Sequence, residues 1–100
     1  MNLPDGLVAV VKRDCPTCLL VEPVLQSIEQ AGTALTVYTQ DDPSFPAVNG
    51  CIDDTSLEKS FHLSIETVPT LIRVNGGREQ QRIIGWERDE WAEFTGIESL

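Results

Sequence analysis

Leu7-Val8-Ala9-Val10-Val11, then Lys12-Arg13-Asp14, then Cys15-Pro16-Thr17-Cys18 is the stretch on which the fold turns. Five apolar residues in a row, three of them valine, read as a strand buried on both faces of a sheet. Past the second cysteine, Val21, Val24, Leu25 and Ile28 recur at i, i+3, i+4 and i+7, the apolar stripe of a helix. Gly32 is a stop signal for that helix, and Pro23 inside it is expected to kink it. The two cysteines stand where strand gives way to helix, and one helical turn carries both sulfurs. C-x-x-C in that setting reads as a redox motif before it reads as a metal clip. A thiolate is the nucleophile of disulfide exchange, and a helix N-terminus favours it. Cys15 is expected to attack a target disulfide, and Cys18 to resolve the mixed disulfide that results. A zinc site needs two more ligands. Only Cys51 and His62 remain, without the spacing of a second pair, so no metal and no cofactor is expected.

Beyond the first helix, Leu35 to Thr39 alternates apolar and polar, as a short strand does. Gln40 to Asp54 is polar, holds Pro43, Pro46, Asn49 and Gly50, and reads as one long loop. Asp53 or Asp54 is placed to cap a short helix from about Thr55 to His62, with Leu57 and Phe61 on its apolar side. Thr70 to Val74 and Gln81 to Ile84 read as two strands joined across the Asn75-Gly76-Gly77 turn signal. Glu87 to Thr95 reads as a closing helix with acids at its N-terminal end and Gly96 after it. The expected order is β-α-β-α-β-β-α. That is an α/β fold with a four-stranded mixed sheet flanked by helices, in a single domain over residues 1–100. A helical crossover makes the first two strands parallel, and the crossover itself right-handed.

Composition narrows the partners. Seven basic against sixteen acidic residues give a net charge of −9, a surface that repels nucleic acid and anionic membrane. An apolar share of 41% and no run of membrane-spanning length point to a globular domain. Three cysteines, two of them in one motif, do not form the disulfide framework of a secreted scaffold. No secretory signal is legible before Leu7, and a reducing, cytoplasmic location is expected. Protein disulfides are the expected substrates, and the chain is expected to be a monomer.

The chain resembles the thioredoxin-fold family. The residues that carry the resemblance are Cys15-Pro16-Thr17-Cys18 after a strand, Pro23, Thr67-Val68-Pro69-Thr70 before a strand, Asn75-Gly76-Gly77, Gly85 and the acidic last helix. The resemblance spans nearly the whole chain and is closest to the minimal, glutaredoxin-sized version. It implies a thiol-disulfide oxidoreductase with Cys15 and Cys18 as the catalytic pair. It also implies that Pro69 is a cis-proline facing the pair, and that Val68 offers its backbone to an extended substrate. Pro16 and Thr17 would line the same groove; Gly85 would keep it open or simply end a strand, and Trp86 would line it or form the rim of the core. Four departures stand out: a missing first strand and helix, Pro-Thr between the cysteines, Asp14 before them, and Ala9 in the place of the buried acid that helps the second cysteine lose its proton. Lys12 and the C-P-x-C and T-V-P motifs also fit glutaredoxins, so a glutathione-dependent reductase is a second reading. A non-catalytic binding module of a larger protein is a third. An unidentified reductase or glutathione would recycle the pair. Cys51 reads either as a further redox thiol or as a small packed residue, His62 as a helix-end residue, and Trp91 with Phe94 as core.

Overall fold

A computed structural model describes residues 3–100 of the chain. In chain order its elements are β1 (Gly6–Val11), α1 (Pro16–Gln30), β2 (Leu35–Thr39), β3 (Cys51–Asp53), α2 (Glu58–His62), β4 (Thr70–Asn75), β5 (Arg78–Ile84) and α3 (Arg88–Thr95). The sheet runs β3-β2-β1-β4-β5. β1 lies at its centre, parallel to β2 and antiparallel to β4. Its side chains alternate between the two faces of the sheet. Leu7, Ala9 and Val11 pack with Cys18, Val21, Leu25 and Ile28 of α1 and with Trp91 and Phe94 of α3. Val8 and Val10 pack on the other face with Tyr38, Leu63, Ile72 and Val74. The continuous apolar run is thus explained by cover on both sides. The turn after β4 needs two positive φ angles, and Gly76 (65°) and Gly77 (76°) supply them.

The sheet has five strands where four are expected from the sequence. The added strand is β3, parallel to β2 with Val37 opposite Cys51 and Thr39 opposite Asp53. It lies inside the segment read as a loop. Three residues, mostly exposed, between Asn49-Gly50 and Asp54 carry no alternating pattern. Its position is set by neighbours instead. The Val37 amide donates to the Gly50 carbonyl at 2.8 Å, and the Asp54 amide to the Thr39 carbonyl at 2.8 Å. A Cβ on Gly50 would sit 2.2 Å from the Leu35 carbonyl oxygen, so only glycine allows the approach.

The rest of that segment is held down by the polar side of α1. Glu22 accepts the Ala47 amide at 2.9 Å, and Glu29 accepts the amides of Asn49 at 2.7 Å and Gly50 at 3.3 Å. Phe45 of the same segment inserts into the core. Pro23 is accommodated within α1, which runs on to Gln30, and the Ser27 hydroxyl donates to the Pro23 carbonyl at 3.1 Å.

α2 is shorter than expected and rotated. It begins at Glu58 after Leu57 at φ 64°, and it turns Leu57 and Phe61 to solvent, Phe61 at 80% exposure. A polar anchor sets this rotation. The buried Asp54 carboxylate accepts the amides of Lys59 (2.8 Å) and Ser60 (2.9 Å) and the Ser60 hydroxyl (2.7 Å). Gln40 donates to the same hydroxyl at 2.9 Å. Two amides, a hydroxyl and a carboxylate satisfied together outweigh the burial of one apolar pair on a helix of five residues. Asp54→Ala strands these donors and should lower the unfolding free energy by about 2 kcal/mol in urea melts. A loss within about 0.5 kcal/mol, the range of ordinary surface changes, would show that the anchor is not what holds α2.

Candidate active site at the cysteine pair

The Cys-Pro-Thr-Cys run builds its own helix start. Cys15 is the cap of α1, with extended backbone at φ −159° and ψ 109°. Pro16 follows at the first helical position, where its missing N–H costs nothing and its φ is already helical. Cys18 is then the third helical residue, and its amide donates to the Cys15 sulfur at 3.3 Å. A sulfur occupies the place where a serine or aspartate oxygen would usually accept. Any negative charge that develops on it faces the positive end of the helix dipole.

The two thiols are free and unlike each other. Cys15 is half-buried, whereas Cys18 is fully buried in the core under α1. Burial pushes the Cys18 thiol up to about 12, with the neighbouring Cys15 adding to the shift and the Lys12 amide and charge opposing it. Ala9, fully buried, lies level with Val37 on one side and Leu71 on the other, in the same cluster as Cys18. The place read as that of a buried acid is therefore lined by apolar side chains.

The other residues that the sequence assigns to the site come from three connections. The Val68–Pro69 peptide is cis, and the Val68 carbonyl lies 3.9 Å from the Cys15 sulfur. Pro69 is buried, and its carbonyl accepts the Gly85 amide at 2.8 Å, which ties the two loops together. Gly85 holds φ +81° with nothing near the position a Cβ would take. Trp86 is half-buried and meets Trp91 edge-on at 5.2 Å between ring centroids. The Trp91 indole N–H donates to the Gly85 carbonyl at 3.0 Å. Pro16 is exposed and Thr17 half-buried on the first turn of α1.

One contributor was not singled out from the sequence. The Asp41 carboxylate accepts the amides of Arg13 at 2.7 Å and Asp14 at 2.9 Å, the two residues just before Cys15. Beside it Asp42 pairs with Arg13 at 2.8 Å. The Ser44 hydroxyl and amide, then Arg13, hold the Asp42 carboxyl at about 2. An acid just after a strand that ends level with the cysteine loop is the only signal the sequence offers for this. Cys51 lies apart in β3, its sulfur 3.7 Å from the carbonyls of Pro43 and Phe45. Burial, then Asp53 and Asp42, push its thiol up. His62 is exposed beside Phe61.

With this geometry in hand, the fold can be compared with solved structures. The chain superposes on StoA from Bacillus subtilis with TM-score 0.68 at 18% identity, covering 95% of this chain and 84% of that one. It matches a reduced thioredoxin pre-protein of Schistosoma mansoni with TM-score 0.66 at 17% identity, over 92% of this chain and 78% of that one. For the thioredoxin NaTrxh of Nicotiana alata the values are 0.63 and 20%, over 91% and 71%. The chain has the thioredoxin fold. No protein-family model matches it, and no curated protein matches it in sequence.

The exposure and burial of the two sulfurs lead to a direct test. Brief treatment of the reduced protein with iodoacetamide near neutral pH should label Cys15 at least about tenfold faster than Cys18, read by peptide mass spectrometry. Faster labelling of Cys18 would reverse the roles of the two thiols.

Proposed function

We propose that the chain is a thiol-disulfide oxidoreductase that reduces or exchanges disulfides of other proteins through Cys15 and Cys18. The observation that carries this reading is the asymmetry of the pair. A half-buried sulfur caps a helix, and a second, buried sulfur lies one turn behind it. The thioredoxin fold supports it.

The Cys15 thiolate attacks one sulfur of a substrate disulfide. A bond forms between Cys15 and that sulfur, and the other substrate sulfur leaves as a thiolate. Cys18 then gives up its proton to solvent and attacks the Cys15 sulfur. The Cys15–Cys18 disulfide forms, and the second substrate thiolate leaves. Two electrons have passed from the pair to the substrate, and an external dithiol or glutathione returns them. The chain works in this reading as a cytoplasmic monomer. In this reading Val68, whose carbonyl lies 3.9 Å from the Cys15 sulfur, and Pro69 contact the substrate, together with Gly85, Trp86, Pro16 and Thr17. A partly exposed thiol paired with a second thiol one turn away favours catalysis over a binding-only module.

Cys15→Ser should abolish the acceleration of insulin reduction by dithiothreitol. Cys18→Ser should accumulate a mixed disulfide visible by mass. Wild-type activity in both variants would leave only the binding-module reading. The release step has a pH signature as well. Burial, the largest cause of the raised Cys18 thiol, persists in the mixed disulfide, so the thiolate available for release grows about tenfold per pH unit between about pH 7 and 9. Single-turnover decay of the mixed disulfide should follow that slope. A flat profile would mean that Cys18 does not perform the release.

A further inference from the structure

α1 carries two apolar stripes. Cys18, Val21, Leu25 and Ile28 are buried against the sheet. Pro16, Leu19, Leu20 and Pro23 also stand at i, i+3, i+4 and i+7, and all four are exposed, Leu19 at 50% and Leu20 at 64%. A surface helix ordinarily turns polar residues outward, and α1 does so from Ser27 onward. The outward apolar stripe is confined to the first two turns, where it begins beside Cys15.

Position says what covers it. The Cys15 sulfur caps α1, and the Leu19 amide donates to the Cys15 carbonyl at 3.1 Å, so the stripe starts one residue from the nucleophile and its leucines stand one turn on. A macromolecule that joins a sulfur to Cys15 also meets the helix that Cys15 caps, on whose first turns Pro16, Leu19 and Leu20 are exposed. Charge narrows the partner further. Asp14 and Glu66 precede Cys15 and Val68 closely in the chain. Both are exposed, and among the described residues neither carboxylate makes a hydrogen bond or ion pair. The whole chain carries −9.

Resting on the oxidoreductase reading, we infer that the Pro16-Leu19-Leu20-Pro23 stripe is the docking surface for the protein substrate, and that it selects disulfides flanked by apolar and basic residues. Apolar contact gives the complex its lifetime, and the acidic field speeds encounter with basic segments. A small disulfide reaches Cys15 without covering the stripe, which separates docking from chemistry.

Three probes test this with the reduced protein in single turnover. They are the disulfide-linked homodimer of a peptide reading Lys-Leu-Cys-Leu-Lys, its counterpart Glu-Ser-Cys-Ser-Glu, and hydroxyethyl disulfide. In the wild type the leucine-lysine peptide should react at least about tenfold faster than the glutamate-serine peptide. The Leu19→Gln/Leu20→Gln variant exchanges exposed side chains for another good helix former. It should lose about tenfold on the leucine-lysine peptide and keep the wild-type rate on hydroxyethyl disulfide. Equal loss on all three probes would overturn the inference, because the leucines would then be acting on the cysteines. No loss on any probe would overturn it too, as would a wild-type dimer that the variant dissociates in sedimentation, since the stripe would then serve a second copy of the chain. A wild type inert towards all three, hydroxyethyl disulfide included, would remove the oxidoreductase reading itself.

Discussion

Cys15 caps α1 with its own sulfur, and the arrangement of the site follows from that hydrogen bond. The Cys18 amide must reach the sulfur at 3.3 Å, so Cys18 is committed to the helix and to its inward face. Once inward, it is buried among Ala9, Val11 and Val21. The asymmetry between an accessible and an inaccessible thiol is therefore a consequence of helix geometry acting on a two-residue spacing. Two further constraints keep the cap in place. The Asp41 carboxylate holds the two amides before it, and the Gly85 amide holds the Pro69 carbonyl.

Burial of Cys18 has a chemical cost. A thiol at about 12 is a reluctant nucleophile, and the apolar setting at Ala9, Val37 and Leu71 offers no carboxylate to take its proton. Lys12, by its amide and its charge, is the influence that favours the thiolate. In the proposed reaction that reluctance falls on the release step, after a substrate has joined Cys15.

The parts of the fold that were legible in the sequence are those with long periodic patterns. β1 was readable from five consecutive apolar residues, α1 from its i, i+3, i+4, i+7 stripe, and the β4–β5 hairpin from Gly76-Gly77. β3 was not, because three residues held by backbone bonds to β2 have no side-chain signature. α2 was misread in its facing, because Asp54 and Ser60 outweigh Leu57 and Phe61 there and a polar anchor leaves no apolar period. At the site, the cysteine pair, Pro69 and Gly85 were legible as motif residues. Asp41 was not, since a carboxylate that binds backbone amides far away in sequence leaves no spacing to read. Leu19 and Leu20 were visible as apolar residues off the buried stripe, but their exposure belongs to the packed helix.

The central claim is that Cys15 and Cys18 form one reversible two-electron couple. Equilibrating the protein across glutathione redox buffers, quenching with acid and mapping the linked peptides by mass spectrometry tests it most directly. The expected result is a single transition, losing two hydrogens, with the bond between Cys15 and Cys18 and with Cys51 left as a thiol. A protein that stays fully reduced across the range, or one whose disulfide joins Cys51, would contradict it.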